Sequence, residues 1–332
     1  MKNPSLFEER HEALEEELAR DRLKKGHPEL VLLKKSDAEI PFFSELSVEK
    51  FCPFLPNNFR GKSITISRTY KNQYGKCFKQ TAMVGKLPDD PNKELGVLKI
   101  KHQNYLYSIL KIWADQDWKV ARIEDDYYGV IDTTRYNLLK YAMKPGAAFS
   151  KPRYDAVLMT LHEMKSCPFT LIEKEDVANE SEHSQKLNDR EVVFYLLSGF
   201  EYEKDGSSFR EGGNIRIILS KYLTKKLYKK EVTLIRLDVF MSFRTDIAKI
   251  VYPLCDRILP HIRKYKKSLK DLCRETGLTY YKKEAQNKHK WASALNELKG
   301  AELSCGKRMT AEIVKEKKTW FFRAWLAESP HS

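Results

Sequence analysis

The segment from Tyr280 to Gly300 combines cationic, amide and hydroxyl side chains at helical spacing. One face of the predicted helix holds the polar groups: Lys282, Gln286, His289 and Ser293, flanked by Lys283 and Lys290. The opposite face holds Glu284, Trp291, Leu295 and Leu298. Gly300 follows at the position of a natural C-cap. Cations, amides and hydroxyls are the groups that contact phosphates and base edges in a DNA major groove, so the segment predicts a DNA-contacting helix.

An ordinary surface helix with a solvated lysine face would show the same pattern, so the neighbouring segments have to decide. Upstream, Ser268 to Thr276 is predicted to form a short amphipathic helix, and Gly277 supplies a turn. Downstream, Ala301 to Leu303 and Thr319 to Phe322 are predicted strands around a basic loop. Helix, glycine turn, longer basic helix and basic hairpin follow each other as in a winged helix-turn-helix, which favours nucleic acid as the partner.

The expected DNA contacts come from this helix and the basic loop. They are Lys282, Lys283, Gln286, Asn287, His289, Lys290, Ser293, Lys307, Arg308, Lys315, Lys317 and Lys318. The Gln286 amide suits adenine N6 and N7, and the Lys290 cation suits guanine O6 and N7. Lys307 and Arg308 are assigned to the wing, where they would contact phosphates. Trp291 is assigned to the core.

The first half of the chain shows the same order of elements. Predicted helices run from Lys101 to Trp113, from a cap at Asp132 or Thr133 through Tyr141, and from Lys151 to Lys165. Predicted strands follow at Phe169 to Ile172 and Val192 to Leu197. The second of these helices is expected to bury Tyr136. The third begins with side chains that could add phosphate contacts in a second groove: Lys151, Arg153 and Tyr154.

Composition narrows the class of partner. The 332 residues carry a net charge of +14, and residues 251–332 hold 18 lysines and arginines against nine aspartates and glutamates. Such a surplus favours a polyanion. A membrane surface is the competing polyanion, but no long basic amphipathic helix or lipidation motif supports it. The six cysteines form no CxxC pair, and the charged N-terminus is not a signal peptide, so we expect a cytoplasmic protein.

The predicted fold class is α+β, with two winged helix-turn-helix domains in tandem and a charged helical segment at the N-terminus. The expected boundaries are 1–50 for the N-terminal segment, 51–200 for the first domain and 214–332 for the second. The second domain is expected to be the main DNA-binding unit. The junction is placed in the charged loop from Asn179 to Arg190 or in the glycine-rich turn from Asp205 to Gly213, so that the strand beginning at Ile215 opens the second domain.

The order of motifs resembles the iteron-binding plasmid replication initiators, which carry two winged-helix domains. The resemblance covers about Pro53 to Trp325. In the first half it rests on Leu55-Pro56-Asn57-Asn58 followed by Arg60, on Leu98-Lys99-Ile100, on Ile131 to Leu139 and on Tyr154 to Leu161. In the second half it rests on Ile215 to Ser220, on Leu237, on Thr245 to Lys249 and on the predicted helix-turn-helix.

This resemblance implies a function that does not follow from composition or residue spacing. Such proteins bind direct repeats at a replication origin, open an adjacent AT-rich segment and recruit host replication proteins such as a helicase or a host initiator. Many also repress their own gene as dimers. The resemblance therefore implies double-stranded origin DNA and host replication proteins as partners, a homodimer for the repression of its own gene, and a role in plasmid copy control.

The sequence contains little that would support an enzymatic function. No two histidines flank a single apolar residue as a rolling-circle initiator requires, and no G-x-x-x-x-G-K-[ST] loop is present. Asp125-Asp126 and Asp89-Asp90 are more simply solvated turns. We therefore expect a non-enzymatic protein without catalytic residues, metal or cofactor. A winged-helix transcription regulator, and a DNA recombinase or nuclease, remain as alternatives.

Overall fold

The computed structural model describes residues 42–45, 54–58, 64–66, 76–82, 86–87, 90–94, 98–123, 126–144, 146–167, 169–175, 190–202, 213–228 and 232–327. The predicted charged N-terminal helix lies outside these residues, as do most of the two segments proposed as the domain junction. Within the described ranges, no helix has the length and apolar character needed to cross a bilayer.

Among the described residues up to Leu219, most elements are strands, with three helices between them. The strands are β1 Phe42–Glu45, β2 Ile64–Ile66, β3 Lys76–Ala82, β4 Lys86–Leu87, β5 Asp90–Glu94, β6 Val120–Ile123, β7 Asp126–Thr134, β8 Phe169–Glu175, β9 Arg190–Phe194, β10 Leu197–Tyr202 and β11 Asn214–Leu219. The helices are α1 Ile100–Asp115, α2 Arg135–Ala142 and α3 Lys151–Ser166. The three predicted helices are thus confirmed within two or three residues.

The remaining part of the chain is richer in helix. Its helices are α4 Lys221–Tyr228, α5 Leu237–Ser242, α6 Asp246–Ile262, α7 Leu269–Thr276 and α8 Glu284–Leu298. Its strands are β12 Val232–Ile235, β13 Lys264–Ser268, β14 Met309–Glu316 and β15 Thr319–Leu326. Helices and antiparallel sheets thus occur in both parts, which confirms the α+β class.

Strand pairing is antiparallel throughout the named strands. Among the described residues the sheets have the orders β10-β11-β7-β6, β2-β3-β8-β9, β13-β15-β14, β1-β12 and β4-β5. The predicted start of the second domain at residue 214 is wrong, because β11 pairs with β7 and β10 of the first half. The sheet that contains β14 and β15 begins only with β13, whose register runs from Lys264 opposite Trp325 to Ser268 opposite Phe321.

The first half is built around helix α1. Its Tyr107 and Trp113 are fully buried, and Gly129 of β7 comes close to the Trp113 ring. A Cβ at Gly129 would lie 2.7 Å from that ring, so this contact requires glycine. Helix α2 begins after Thr134, whose hydroxyl accepts the amide proton of Asn137, one or two residues later than predicted. Tyr136 is 43% exposed, so its predicted burial is wrong: the core contact of α2 comes from Leu138 and Leu139.

One side chain joins the two halves at the starts of α1 and α6. The backbone N–H and side-chain amide of Asn57 donate to the two carboxylate oxygens of Asp246, at 2.6 and 2.8 Å. The Asn57 carbonyl oxygen accepts from the backbone N–H of Lys101, at 3.1 Å. Nearby, the Tyr107 and Phe240 rings meet edge to face with centroids 4.7 Å apart. The buried apolar side chains of both halves therefore form one continuous core.

Candidate nucleic-acid interface

Helix α7 and its turn are specified locally. Ser268 precedes the helix, and its hydroxyl accepts the backbone N–H of Asp271 at 3.1 Å, which is an N-cap bond. Leu269, Leu272 and Cys273 turn into the core. Gly277 ends the helix with φ 67°, a left-handed conformation in which L side chains are disfavoured. The predicted short helix, its inward residues and its glycine turn are confirmed.

Helix α8 is held by its apolar side. Trp291, Ala294 and Leu298 are at most 1% exposed. The Trp291 ring packs on Phe322 of β15, with centroids 5.7 Å apart. This contact fixes the helix against the hairpin and turns its other side to solvent. The assignment of Trp291 to the core is confirmed, whereas Glu284 of the predicted inner face is exposed.

The assignment of Asn287 to DNA binding required an exposed side chain, but Asn287 does not lie on the solvent side of α8. It is 1% exposed. Its Oδ1 accepts the backbone N–H of Tyr281 at 3.0 Å, and its Nδ2 donates to the Tyr281 carbonyl at 2.7 Å. The oxygen and the nitrogen of the Asn287 amide are thus both hydrogen-bonded within the protein. The prediction that Asn287 contacts DNA is therefore corrected. Asn287 instead holds the turn between α7 and α8 against α8.

The other predicted contacts in this segment are exposed: Lys282, Lys283, Gln286, His289, Lys290 and Ser293. Lys282 and Lys283 precede the helix, and the rest lie on its outer side. Further exposed side chains there were not predicted, namely Ala285, Lys288, Ala292 and Asn296. Continuing the spacing from His289 and Ser293 by one turn would have found Asn296. That these side chains contact DNA stays a prediction.

The hairpin after α8 is longer than predicted. Strands β14 and β15 pair from Met309 opposite Leu326 to Glu316 opposite Thr319, so its tip is the two-residue turn Lys317-Lys318. Both lysines are exposed, and Lys317 has φ 53°. Residues 301–303 form no named strand. They contribute one isolated bridge, Glu302 to Arg308.

Lys307 and Arg308 are exposed but do not lie at the hairpin tip. They precede β14, whereas the tip follows it, and an eight-residue strand spans roughly 26 Å. Their assignment to the wing is therefore wrong. Gly300 N–H donates to the Met309 carbonyl, which places this end of β14 beside the C-terminus of α8. The opposite end of β14 lies beside the N-terminus of α8, through Lys315 and Glu284.

Ion pairs neutralise several carboxylates around this surface. Lys315 Nζ lies 2.8 Å from Glu284 Oε1, and this hydrogen bond lowers the pKa of Glu284. Glu316 pairs with both Lys266 and Arg323, whose hydrogen bonds lower its pKa. Lys315 is exposed as predicted, and its charge is partly neutralised by its ion pair with Glu284.

The first half places its predicted cations at the start of α3. Lys151 and Arg153 are exposed, and Arg153 donates to the Ala148 carbonyl at 3.0 Å. Tyr154 is only 7% exposed, because its ring packs in the core under the Arg135 guanidinium, 5.2 Å from the ring centroid. The prediction that Tyr154 contacts DNA is therefore corrected, and Lys151 and Arg153 remain as candidates.

Helix α3 is anchored to α1 by the partly buried carboxylate of Glu163. Glu163 Oε2 lies 2.5 Å from both Lys101 Nζ and His102 Nε2. His102 Nδ1 accepts the backbone N–H of Lys99, so the ring donates from Nε2, and burial lowers the pKa of His102. Burial opposes the charge on Glu163, but the bonds from His102 and Lys101 outweigh it and lower the pKa of Glu163 to about 2.

The described residues contain no group of three or more histidine, cysteine, aspartate or glutamate side chains arranged to hold a metal ion. What they do offer is an exposed polar helix face flanked by lysines, a basic hairpin tip beside its N-terminus, and a second pair of cations on α3. This arrangement suits a nucleic acid, because lysines and arginines can contact its phosphates and the polar helix face can form hydrogen bonds with its base edges.

No protein-family model matches the sequence, and no curated protein matches it. A solved structure shares the fold. A crystal structure of domains 2 and 3 of RctB matches with a TM-score of 0.52 and 10% sequence identity, over 85% of this chain and 98% of that chain. A second structure of RctB domains 2-3 gives a TM-score of 0.49 and 11% identity, over 83% and 95%. The first match shows that the two halves together share the fold of two consecutive domains of another protein.

Proposed function

We propose that this protein binds double-stranded DNA in a sequence-specific manner through two winged-helix units, and that it initiates replication at origin repeats. The observation that carries the DNA-binding part is the outer side of α8. A polar face without a carboxylate at its centre is held outward by Trp291 and flanked by exposed lysines.

The element order supports the winged-helix assignment of the second half. Helix α6, strand β13, helix α7, helix α8 and the β14–β15 hairpin follow one another, with β15 between β13 and β14 in the sheet. In a helix-turn-helix protein the second helix enters the major groove. Helix α8 would take that role, and Lys317 and Lys318 would meet the adjacent backbone.

The first half supports a second unit. Helices α1, α2 and α3 and strands β8 and β9 follow one another in comparable order, and Lys151 and Arg153 are exposed at the start of α3. Because the core is continuous and Asn57 joins α1 to α6, both units would dock on DNA as one body.

The role in replication rests on the family resemblance of the motif order, together with this two-unit architecture. Its expected partners are origin DNA and host replication proteins, and a homodimer would suit repression of the protein's own gene. A winged-helix transcription regulator would share the same DNA-binding surface, and a recombinase or nuclease would need catalytic groups in addition.

Selection of bound duplexes from a random library tests the DNA-binding part. We expect an enriched sequence, with affinity falling by roughly 0.9 log units per log unit of salt for each phosphate neutralised. A flat salt response and no enriched sequence would contradict it.

Replication is tested separately. A plasmid that carries the selected repeats beside an AT-rich segment should be maintained only in cells that supply this protein. Binding without maintenance would favour the transcription regulator. Magnesium-dependent nicking of supercoiled DNA would instead favour the nuclease.

A further inference from the structure

The outer side of α8 divides into a neutral centre and charged flanks. Successive helical residues are rotated by about 100°, so the side chains farthest from the buried face form one ridge. This neutral ridge consists of Ala285, Gln286, His289, Ala292, Ser293 and Asn296, all of them exposed. Exposed lysines lie before it and on both sides of it: Lys282, Lys283, Lys288 and Lys290.

The hairpin flank is fixed in place. Lys288 Nζ lies 5.1 Å from the centre of the Trp320 ring, which puts its charge on the hairpin side of the ridge. On the other side, Glu297 does not reach the ridge, because its carboxylate accepts the backbone N–H groups of Arg244 and Thr245. Cations on the flanks would meet the two phosphate backbones of a groove, and the neutral ridge would face the base edges.

The chemistry of the neutral ridge distinguishes between base pairs. A glutamine or asparagine amide can donate and accept together, which matches adenine N7 and N6, and an alanine methyl matches the thymine methyl group. Arginine or lysine makes the commonest specific contact to guanine. Helix α8 contains no arginine, and its lysines, Lys288 and Lys290, lie on the flanks of the neutral ridge, so Lys290 is assigned here to a phosphate instead of the guanine predicted from the sequence.

Resting on the proposed function, we propose that the neutral ridge reads A·T base pairs in the major groove. Gln286 and Asn296 would each contact an adenine, and Ala292 would lie against a thymine methyl group. Ten residues separate the two amides, which is about 15 Å along the helix axis. At about 3.4 Å per base pair, the two adenines would be no more than about five base pairs apart.

Modified bases test this with the whole 332-residue chain bound to its selected duplex. Replacing one adenine at a time by 7-deazaadenine removes N7, and replacing thymine by deoxyuridine removes the methyl group. We expect two adenine positions at which affinity falls roughly five- to a hundredfold, with a smaller loss at one thymine between them. Replacing guanine by 7-deazaguanine within the same core should have little effect.

Protein variants assign each contact. Gln286→Ala should abolish the effect of 7-deazaadenine at one position and leave the other intact, and Asn296→Ala should do the converse, as coupled pairs in a double-mutant cycle do. Asn58→Ala, an exposed amide far along the chain, serves as the control and should leave both effects unchanged.

The outcomes separate the two proposals. Strong sensitivity to 7-deazaguanine inside the core, with 7-deazaadenine tolerated, would overturn the A·T assignment and leave sequence-specific DNA binding standing. If no duplex is preferred over scrambled DNA, the proposed function is wrong, and the inference that rests on it is wrong as well.

Discussion

At the scale of single residues, the hairpin tip offers the clearest candidate for a phosphate contact. Lys318 is exposed in the turn after β14, and within the described part of the chain no acidic side chain pairs with it. A phosphate carries no sequence information, so Lys318→Ala should weaken binding to selected and scrambled duplexes alike. The slope of log affinity against log salt should fall by about 0.9, as expected for one lost phosphate contact. Titrations at three or more salt concentrations measure both quantities.

Lys307→Ala is the matched control for that variant. It removes the same charge from an exposed site, but at the opposite end of β14 from the tip. We expect a clearly smaller change in salt slope for Lys307→Ala than for Lys318→Ala. Equal slopes for the two variants would mean that the hairpin tip has no special part in binding.

Asp256 gives a prediction about pH. Its Oδ1 accepts from the backbone N–H and the hydroxyl of Ser304, at 2.7 and 2.9 Å, while its buried Oδ2 has no partner among the described residues. Burial raises the pKa of Asp256 from 3.8 to about 6. Between these values the folded protein holds a proton that the unfolded chain has released. Stability from this group is therefore present at acidic pH and is lost as pH rises through 6.

Asp256→Asn should remove that dependence. At pH 7.5 we expect the variant to be more stable than the wild type by about 1–3 kcal/mol, with the difference shrinking toward pH 5. Denaturant unfolding at both pH values measures it. Asp271→Asn is the control of opposite sign, because the Ser268 hydroxyl lowers the pKa of Asp271, so this variant should lose stability at neutral pH. A wild-type minus Asp256→Asn difference that does not vary with pH would contradict the assignment.

At the scale of elements, the turn between α7 and α8 depends on Asn287. Asn287→Ala leaves the N–H and C=O of Tyr281 without their partner, at a cost of about 1–3 kcal/mol. We expect faster hydrogen exchange at the Tyr281 amide and weaker binding to the selected duplex. The salt slope should change little, because no cation is lost.

His289→Ala is the control on the same helix. His289 is exposed, two residues from Asn287, and takes no part in the turn. Its replacement should leave hydrogen exchange at Tyr281 unchanged, whatever it does to DNA binding. If both variants exchange alike at Tyr281, the turn is held by other contacts.

At the scale of the whole molecule, Asn57 joins the halves. Asn57→Ala removes the side-chain bonds to Asp246 and Lys101, so we expect a loss of stability of about 1–3 kcal/mol. It should also weaken binding to a duplex long enough for both units more than to a short duplex that only α8 can occupy. Asn58→Ala, at the exposed neighbouring position, should match the wild type in melting and binding. Equal losses on long and short duplexes would contradict a joint role.

Local sequence determined the positions of most of the predicted helices and which side of α8 packs against the core. Apolar residues at helical spacing predicted α1, α3, α7 and α8, and the pattern around Trp291 assigned the inner side of α8 correctly. Gly277 marked the turn, because a left-handed position favours glycine. The basic surplus near the C-terminus also follows from composition alone. Such features depend on neighbours within a few turns, so they can be read without the fold.

Tertiary structure alone decided the rest. One of the two strands that pair with β11 lies some 80 residues away in the sequence, and periodicity carries no information on which sheet a strand joins. The hairpin tip lies at Lys317-Lys318 because the register between β14 and β15 ends with Glu316 opposite Thr319. Asn287 and Tyr154 look like surface groups in the sequence, yet packing buries both. Which polar side chains remain available to a ligand is decided by such long-range contacts, because they determine which hydrogen-bonding groups the protein has already used.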